Sequence, residues 1–248
     1  MTASTPAPRR RAARRARALL AVPAALLLLL LPAAAGAQSL ADLSAVRRVE
    51  IAGDAARLVL SARAGAPTGA QIVARREGWF GGWYSSWFHE PCETASRLQL
   101  EGEVLRVVVN APRFLWSRDC TVELRADLPA GVDVHVALPA ASARLEGRFG
   151  TVEVEGRAFD LELEGAAART RLAGDALRLR YDEAEEASAG SVEVEGRAID
   201  AALRFAGTAP LAWRVDARAA MVDAGRPNDP AAPRHVAMTG DYVHVEIR

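Results

Sequence analysis

The segment from Ser142 to Gly207 is built of short repeated units, and each unit ends at a glycine. Apolar and charged residues alternate within the units, whose closing glycines are Gly147, Gly156, Gly165 and Gly174. After a longer connection, the residues from Val192 to Ala198 copy those from Val152 to Ala158 letter for letter. Alternation with a period of two indicates a strand with one buried face. Because a single strand cannot bury that face alone, neighbouring units have to stack.

Alignment of the glycines Gly156, Gly174 and Gly196 places equivalent positions of the repeats over one another. The interval after Gly174 is the longer one, because residues 182–188 form an insertion. Three largely apolar columns predict buried positions: Val152, Thr170 and Val192; Val154, Leu172 and Val194; Phe159, Leu177 and Ile199. Three columns alternate in charge and predict outer positions: Glu153, Arg171 and Glu193; Arg157, Asp175 and Arg197; Asp160, Arg178 and Asp200.

The alternating charges favour stacked parallel repeats, because like charges on strands about 4.8 Å apart would repel. A flat antiparallel meander is the alternative, since the short spacing between successive glycines also allows hairpins. We predict an all-β fold: a single elongated β-solenoid of stacked short strands, with roughly 18 to roughly 22 residues per rung, and an antiparallel N-terminal sheet. The ranges are a signal peptide at 1–37, an antiparallel region at 38–127, and solenoid repeats with a closing strand at 128–248.

Residues 1–37 have the regions of a cleaved signal peptide. Six arginines precede an apolar run from Leu19 to Leu31, and Ala35-Gly36-Ala37 forms a small-residue cleavage site before Gln38. The run is shorter than the about 20 residues that span a bilayer. We therefore expect export, a periplasmic or extracellular location, and no transmembrane anchor after cleavage.

The charge of the mature chain argues against a nucleic-acid partner. The sequence has 31 basic and 31 acidic residues, and six of the arginines lie in the predicted signal peptide. The mature chain therefore carries 25 basic and 31 acidic residues, a net charge of about −6. Nucleic-acid binding usually requires a basic face.

The sequence contains two cysteines, Cys92 and Cys120. In an exported protein an even pair predicts a disulfide. A zinc site formed by His89 and the two cysteines is the alternative, but an oxidising compartment favours the disulfide.

Alternating segments outside the repeats predict further strands. Residues 47–51 and 57–62, separated by Gly53-Asp54, have the pattern of a β-hairpin, and residues 71–74 suit a third strand beside it. Further strands are predicted at 98–100, 104–109, 121–126, 132–136 and 242–247, with a turn-rich loop at 227–233. No long helix is expected after the signal peptide.

The segment from Gly78 to Pro91 is rich in aromatic residues placed among glycines and serines. It has neither strand nor helix periodicity, which indicates a long loop. Its aromatic side chains either fold back to cap the sheet or form a contact surface for a glycan, a membrane interface or a protein. The candidate partner-contact residues are Trp83, Tyr84, Trp87 and Phe88.

The motifs of this chain resemble the bacterial putative-adhesin family of unknown function. The resemblance rests on Pro129-Ala130-Gly131-Val132-Asp133-Val134 and on the Val-x-Val-x-Gly units that follow. It covers about residues 47–248 and is strongest over 128–203. Members are exported, solenoid-like β proteins, similar to auto-transporter adhesin head domains, and the family name implies adhesion. The aromatic loop, the cysteine pair and the Gly-Arg-Ala turns depart from the family pattern.

Little in the sequence indicates catalysis, and no catalytic, cofactor-binding or metal-binding residue is predicted. Paired carboxylates for glycoside cleavage are conceivable among Glu153, Glu155, Glu162, Glu164, Glu193 and Glu195. These glutamates recur with the repeat, which favours a solvated outer face. The acidic insertion, with Asp182, Glu183, Glu185 and Glu186, suits either a cation or a solvated loop.

We therefore expect an exported adhesin-like β-solenoid that acts by binding or structure in the bacterial envelope, without a cofactor. Its partner would be an unknown envelope protein or a glycan. A periplasmic accessory or sensor protein that docks an envelope partner is the alternative, and a carbohydrate-active β-helix enzyme is a weaker one.

Overall fold

A computed structural model describes residues 38–76, 92, 94–111, 120–184 and 189–248. These residues form strands and no helix, so none of them belongs to a helix that could span a membrane. The thirteen strands are β1 (Gln38–Ala41), β2 (Arg48–Gly53), β3 (Ala56–Ala62), β4 (Gly69–Arg76), β5 (Arg97–Glu101), β6 (Val104–Val109), β7 (Cys120–Leu128), β8 (Val132–Ala137), β9 (Ala140–Glu155), β10 (Ala158–Asp182), β11 (Gly190–Arg204), β12 (Ala212–Ala224) and β13 (Arg234–Ile247).

All thirteen strands belong to one mixed sheet, most of whose pairings are parallel. The main path runs β1-β4-β7-β3-β9-β10-β11-β13-β12, and a branch joins β5, β6, β2 and β8 to β9. Among the described strands, only the β1–β4, β4–β7 and β5–β6 pairs are antiparallel. The sheet is open, with β1 and β12 at the two ends of the main path.

The predicted N-terminal hairpin is wrong, although both of its strands exist. Strand β2 pairs in parallel with β6 and β8, whereas β3 pairs in parallel with β7 and β9. At Gly53 the backbone has a φ of 125°, and the amide of Asp54 donates to the carbonyl of Val109 in β6 at 2.9 Å. The chain therefore turns a corner between β2 and β3 instead of reversing. The prediction of an antiparallel N-terminal sheet is correct only for the β1–β4, β4–β7 and β5–β6 pairs.

The repeats pair in the register that the glycine alignment predicts. Leu172 in β10 lies opposite both Val154 in β9 and Val194 in β11. In the next column, Thr170 lies between Val152 and Val192. All members of these columns are buried, so the alternating apolar positions form the core. Parallel stacking, and not an antiparallel meander, is therefore the arrangement of the repeats.

The repeat glycines lie at corners where neighbouring backbones approach closely. Gly174 pairs with Gly196, and Gly196 pairs with Gly240. A Cβ atom placed on Gly156 would lie 1.8 Å from the carbonyl oxygen of Leu138, and one on Gly196 would lie 2.7 Å from that of Gly174. Any side chain would therefore push the repeats apart at this corner.

The alternating charges of the outer face also occupy their predicted columns. Arg171 lies opposite Glu153 and Glu193, and the Arg197 Nε atom is 3.0 Å from Asp175 Oδ1. The Arg197–Asp175 pair is exposed, so it contributes about 0–1 kcal/mol. The main effect of the alternating charges is on the register, because a shifted repeat would bring like charges together.

The order of the last two strands differs from their order in the chain. Strand β13 lies between β11 and β12, and it is parallel to both. The closing strand predicted at 242–247 is thus the C-terminal part of an interior strand, while β12, which the alternation did not single out, forms the end of the sheet.

We expect Gly156→Ala to lower the free energy of unfolding by about 2 kcal/mol or more, because its Cβ would overlap a backbone carbonyl that cannot rotate away. Urea denaturation followed by circular dichroism would measure the loss. Gly190→Ala is the control, since its Cβ would meet no atom closer than 3.5 Å, and we expect a change within about 0.5 kcal/mol. Equal effects at the two positions would contradict the close approach.

Candidate binding groove

A long groove crosses the outer face of the sheet along the corner of the repeats. It has a volume of about 1090 Å³. Its lining comes from strands β3, β7, β9, β10, β11, β12 and β13, so it extends over most of the main path of the sheet. A ligand of extended shape would contact several repeats at once.

Alanines form the floor of this alanine groove. In each repeat an alanine follows the corner glycine by two positions: Ala158, Ala176 and Ala198. Ala176 pairs with Ala198, and Ala158 pairs with Ala140 in β9. These methyl groups are exposed and short, whereas the next residues, Phe159, Leu177 and Ile199, are buried. The corner therefore leaves a shallow apolar channel between rows of longer side chains.

Charged side chains border the floor on one side. Arg178 Nε lies 3.3 Å from Asp200 Oδ2, and His244 Nδ1 lies 2.9 Å from Asp200 Oδ1. Arg178 also reaches Asp160 at 4.0 Å. The hydrogen bond with His244, followed by that from Arg178, holds the pKa of Asp200 below its ordinary value. This rim offers donors and acceptors that are already ordered by one another.

The two ends of the alanine groove differ in chemistry. At one end, Ala111, Cys120 and Thr121 line the channel. At the other end, Tyr242 and Met221 are 68% and 61% exposed, which is unusual for large apolar side chains. Tyrosine and methionine are enriched at protein interfaces, so this end is the best candidate for a contact surface among the described residues.

Cys92 and Cys120 form a disulfide, with their Cα atoms 5.9 Å apart. Bonded sulfurs cannot act as zinc thiolates, so the alternative zinc site is excluded. Because Cys120 lines the alanine groove, the bond holds Cys92 beside one end of the groove.

The aromatic loop lies outside the described residues. The predicted contacts Trp83, Tyr84, Trp87 and Phe88 therefore stay predictions, and so does the choice between a cap and a contact surface. His89 and Glu90 lie outside the described residues as well. The disulfide holds Cys92, which directly follows the aromatic loop in the sequence, next to Cys120.

The repeat glutamates lie on the outer face, where arginines contact several of them. Arg144 bonds Glu146, Glu162 and Glu164 at 2.9, 3.2 and 2.8 Å. Glu153 lies 3.3 Å from His135 Nδ1. No cluster of three or more potential metal ligands occurs in the described part of the chain. Glycoside cleavage by paired carboxylates stays the weaker alternative.

Part of the acidic insertion is buried, which differs from the predicted solvated loop or cation site. The side chains of Glu183 and Arg234 are 1% and 3% exposed, and they form a direct ion pair. The amide of Ala206 donates to the same Glu183 oxygen at 3.0 Å, and the guanidinium of Arg234 lies 4.8 Å from the centre of the Phe205 ring. Burial, followed by the charge of Glu183, raises the pKa of neighbouring Tyr181 to about 12. Glu185 and Glu186 lie outside the described residues.

The groove floor was not predicted from the sequence, although a signal was present. Alanine recurs at the same position in three aligned repeats, between an alternating charged column and an apolar column. Alignment of all columns, and not only the large or charged ones, reveals a continuous strip of small residues. Tyr242 and Met221 could not be found in this way, because neither residue type recurs at the aligned position of the other repeats.

We expect Asp200→Asn to lower the free energy of unfolding by about 0.5 kcal/mol at pH 7, the scale of an exposed ion pair. The folded-state pKa of Asp200 is lowered, so its contribution is present when the carboxyl is ionised. The difference from the wild type should therefore disappear as the pH falls through that pKa. Asp127→Asn serves as the control, because Asp127 is exposed. A pH-independent difference would contradict the prediction.

We expect Glu183→Leu alone to destabilise the fold by about 3–5 kcal/mol, because it leaves the buried charge of Arg234 without its partner. Glu183→Leu combined with Arg234→Met should recover most of this loss, since the double variant buries no charge. Thermal and urea denaturation of both variants would measure the two changes. A loss of unfolding free energy below about 1 kcal/mol for Glu183→Leu alone would contradict the prediction, because it would match an exposed ion pair.

Comparison with known proteins found similarity to solved structures of bacterial proteins. No protein-family model matches the chain, and no curated protein matches it. The chain is similar to solved structures of a putative adhesin from Bacteroides fragilis (9% identity, TM-score 0.45, covering 85% of this chain and 96% of that chain) and of a putative cell adhesion protein from Clostridium sporogenes (9%, 0.42, 86% and 99%). A putative adhesin from Parabacteroides merdae is also similar (11%, 0.34, 86% and 96%). Solved structures of putative adhesins are therefore among the proteins to which this chain is similar.

Proposed function

We propose that the protein is an exported, adhesin-like β-solenoid that binds an envelope protein along the alanine groove. The observation that carries the proposal is the groove itself: an apolar channel about 1090 Å³ in volume that crosses seven strands. Binding, and not catalysis, is the proposed activity.

The solenoid part of the proposal is supported by the parallel register. Arg169 in β10 pairs with Thr151 in β9 and with Ser191 in β11, and the neighbouring positions follow in step. The long strands bend at the glycine corners, so that the same strand contributes to both sides of a corner. A coil that returns to the same position in each repeat is the simplest geometry for this register.

A protein partner suits the groove better than a glycan. Its lining is mainly alanine and larger apolar side chains, while the rim carboxylates near the floor are already paired with Arg178 and His244. A glycan would bind mainly through hydrogen bonds, whereas a polypeptide can bury apolar side chains against the alanine floor. The exposed Tyr242 and Met221 are residue types that are enriched at protein interfaces.

Export is supported by the disulfide between Cys92 and Cys120, which suits an oxidising compartment. It also agrees with the signal-peptide pattern of residues 1–37. A periplasmic or extracellular location follows as part of the proposal.

The test uses a photo-reactive amino acid at Ala176, in the centre of the groove floor, in cells that produce the chain naturally. Cross-linked proteins would be identified by mass spectrometry, and one purified partner would be titrated against the mature chain. We expect Ala176→Arg and Ala198→Arg to raise the dissociation constant by about tenfold or more, because arginine fills the channel at the centre of the interface.

Ala168→Arg is the matched control, since Ala168 is an exposed alanine of the same strand that does not line the groove. It should leave the affinity unchanged. Equal affinities for the groove variants and the control would reject the groove. Saturable binding of a purified envelope polysaccharide that Ala176→Arg abolishes would replace the protein partner with a glycan.

A further inference from the structure

Strand β12 has a free edge at the end of the main sheet. Among the described residues its only strand partner is β13. Residues 212–224 contain no proline or glycine, which would interrupt an exposed edge, and the charged residues of the strand are Arg214, Asp216, Arg218 and Asp223. At Trp213, the side chain of Asn228 bonds both the backbone amide and the carbonyl, at 2.9 and 3.0 Å. From Val215 to Ala224 the edge is open for pairing within the described part of the chain.

The direction of the backbone amide and carbonyl groups alternates along β12 between the free edge and β13. Trp213 lies opposite the buried Val236, and its backbone groups face the edge, where Asn228 binds them. At the other end of the strand, the amide of Gly225 donates to the carbonyl of Ile247 in β13. The backbone groups of successive strand residues point to opposite sides, so the amide and carbonyl of Ala224 face the free edge. Residues whose side chains point to the core therefore present their amide and carbonyl to the free edge on both sides of the corner.

The core-facing side chains of β12 are incompletely covered. Val222 lies opposite Val245, which lies opposite Ala201. Val222 is 36% exposed, whereas Val245 and Ala201 are 0% and 2% exposed. The core thus lacks one further layer at this end.

A second copy of β12, antiparallel to the first and related to it by a two-fold axis at the corner, would supply that layer. The corner lies at Arg218, which the register with β13 skips between Ala217 and Ala219. A two-fold axis between positions 218 and 219 places Val215 opposite Val222 of the second copy, and Ala217 opposite its Ala220. These are core-facing residues with their hydrogen-bonding groups at the edge, as an antiparallel ladder requires.

The outer charges match in the same register. Arg214 would lie opposite Asp223 of the second copy, and the symmetry produces this pair twice. The two side chains are 81% and 59% exposed, so both are accessible to a partner. In the single chain they pair with Asp216 and Arg248 at the surface, contacts that cost little to exchange.

We infer that β12 is a self-association edge, at which two copies of this chain pair head to head into a closed two-fold dimer. Backbone hydrogen bonds, the Val215–Val222 contacts and two Arg214–Asp223 pairs hold the dimer together. Because the alanine groove follows the same corner and reaches Ala219, Ala220 and Met221, the grooves of the two copies would join end to end. The dimer does not depend on the partner proposed for the groove.

The test measures the mass of the mature chain from Gln38 to Arg248 by sedimentation velocity over a range of concentrations. We expect a reversible dimer for the wild type. Val222→Asp should abolish it, because a carboxylate would enter the shared core. Val108→Asp is the matched control: Val108 is 42% exposed on β6, away from β12, and its substitution should leave the dimer intact. Circular dichroism would check that both variants fold.

A charge exchange gives an independent readout. Arg214→Asp and Asp223→Arg should each raise the dimer dissociation constant by about tenfold, because like charges then face each other at two symmetry-related pairs. The double variant should restore dimerisation, since the pairs re-form with reversed polarity. A wild type that stays monomeric, a dimer that persists in Val222→Asp, an open filament, or a double variant without recovery would each overturn the inference.

Discussion

The parallel stacking of the glycine corners is the constraint on which the rest of the structure depends. Gly156, Gly174, Gly196 and Gly240 let successive backbones approach so closely that no Cβ fits between them. Once the corners are superposed, the alternation of each strand places the apolar columns in the core and the charged columns outside. A shift by one residue would exchange the two faces, so the corner and the alternation enforce the same register.

The alanine groove is a consequence of that corner. Just after the turn, a side chain points outward between two rows of longer residues, and in three repeats this position is alanine. The contacts of Asp200 with Arg178 and His244 keep the rim ordered, while the methyl groups leave the channel open. Two exposed large apolar residues, Tyr242 and Met221, lie where the channel reaches the last strands. A surface that repeats along the sheet suits an extended partner, which gains contacts from several repeats at once.

A stacked architecture also has to manage its ends, because the last repeat lacks a neighbour. Near the insertion, Glu183 and Arg234 form a buried ion pair beside the ring of Phe205. At β12 the Asn228 side chain closes the edge at Trp213. The remainder of that strand is self-complementary, and the two-fold dimer that we infer there would close the open end into a single assembly.

The sequence by itself determined the repeat register, because glycine spacing, alternation and charge sign are local properties that all point to one alignment. It also predicted the disulfide, since the two cysteines leave a single intramolecular pairing, and the bond in the structure excluded the alternative zinc site. Only the tertiary structure decided which strands are neighbours outside the repeats. Alternation at β2 and β3 predicts a strand and its buried face, but it does not distinguish a reversal at Gly53 from a corner. Likewise, nothing local indicates that β13 lies between β11 and β12, or that Glu183 meets Arg234, because these contacts join segments far apart in the chain.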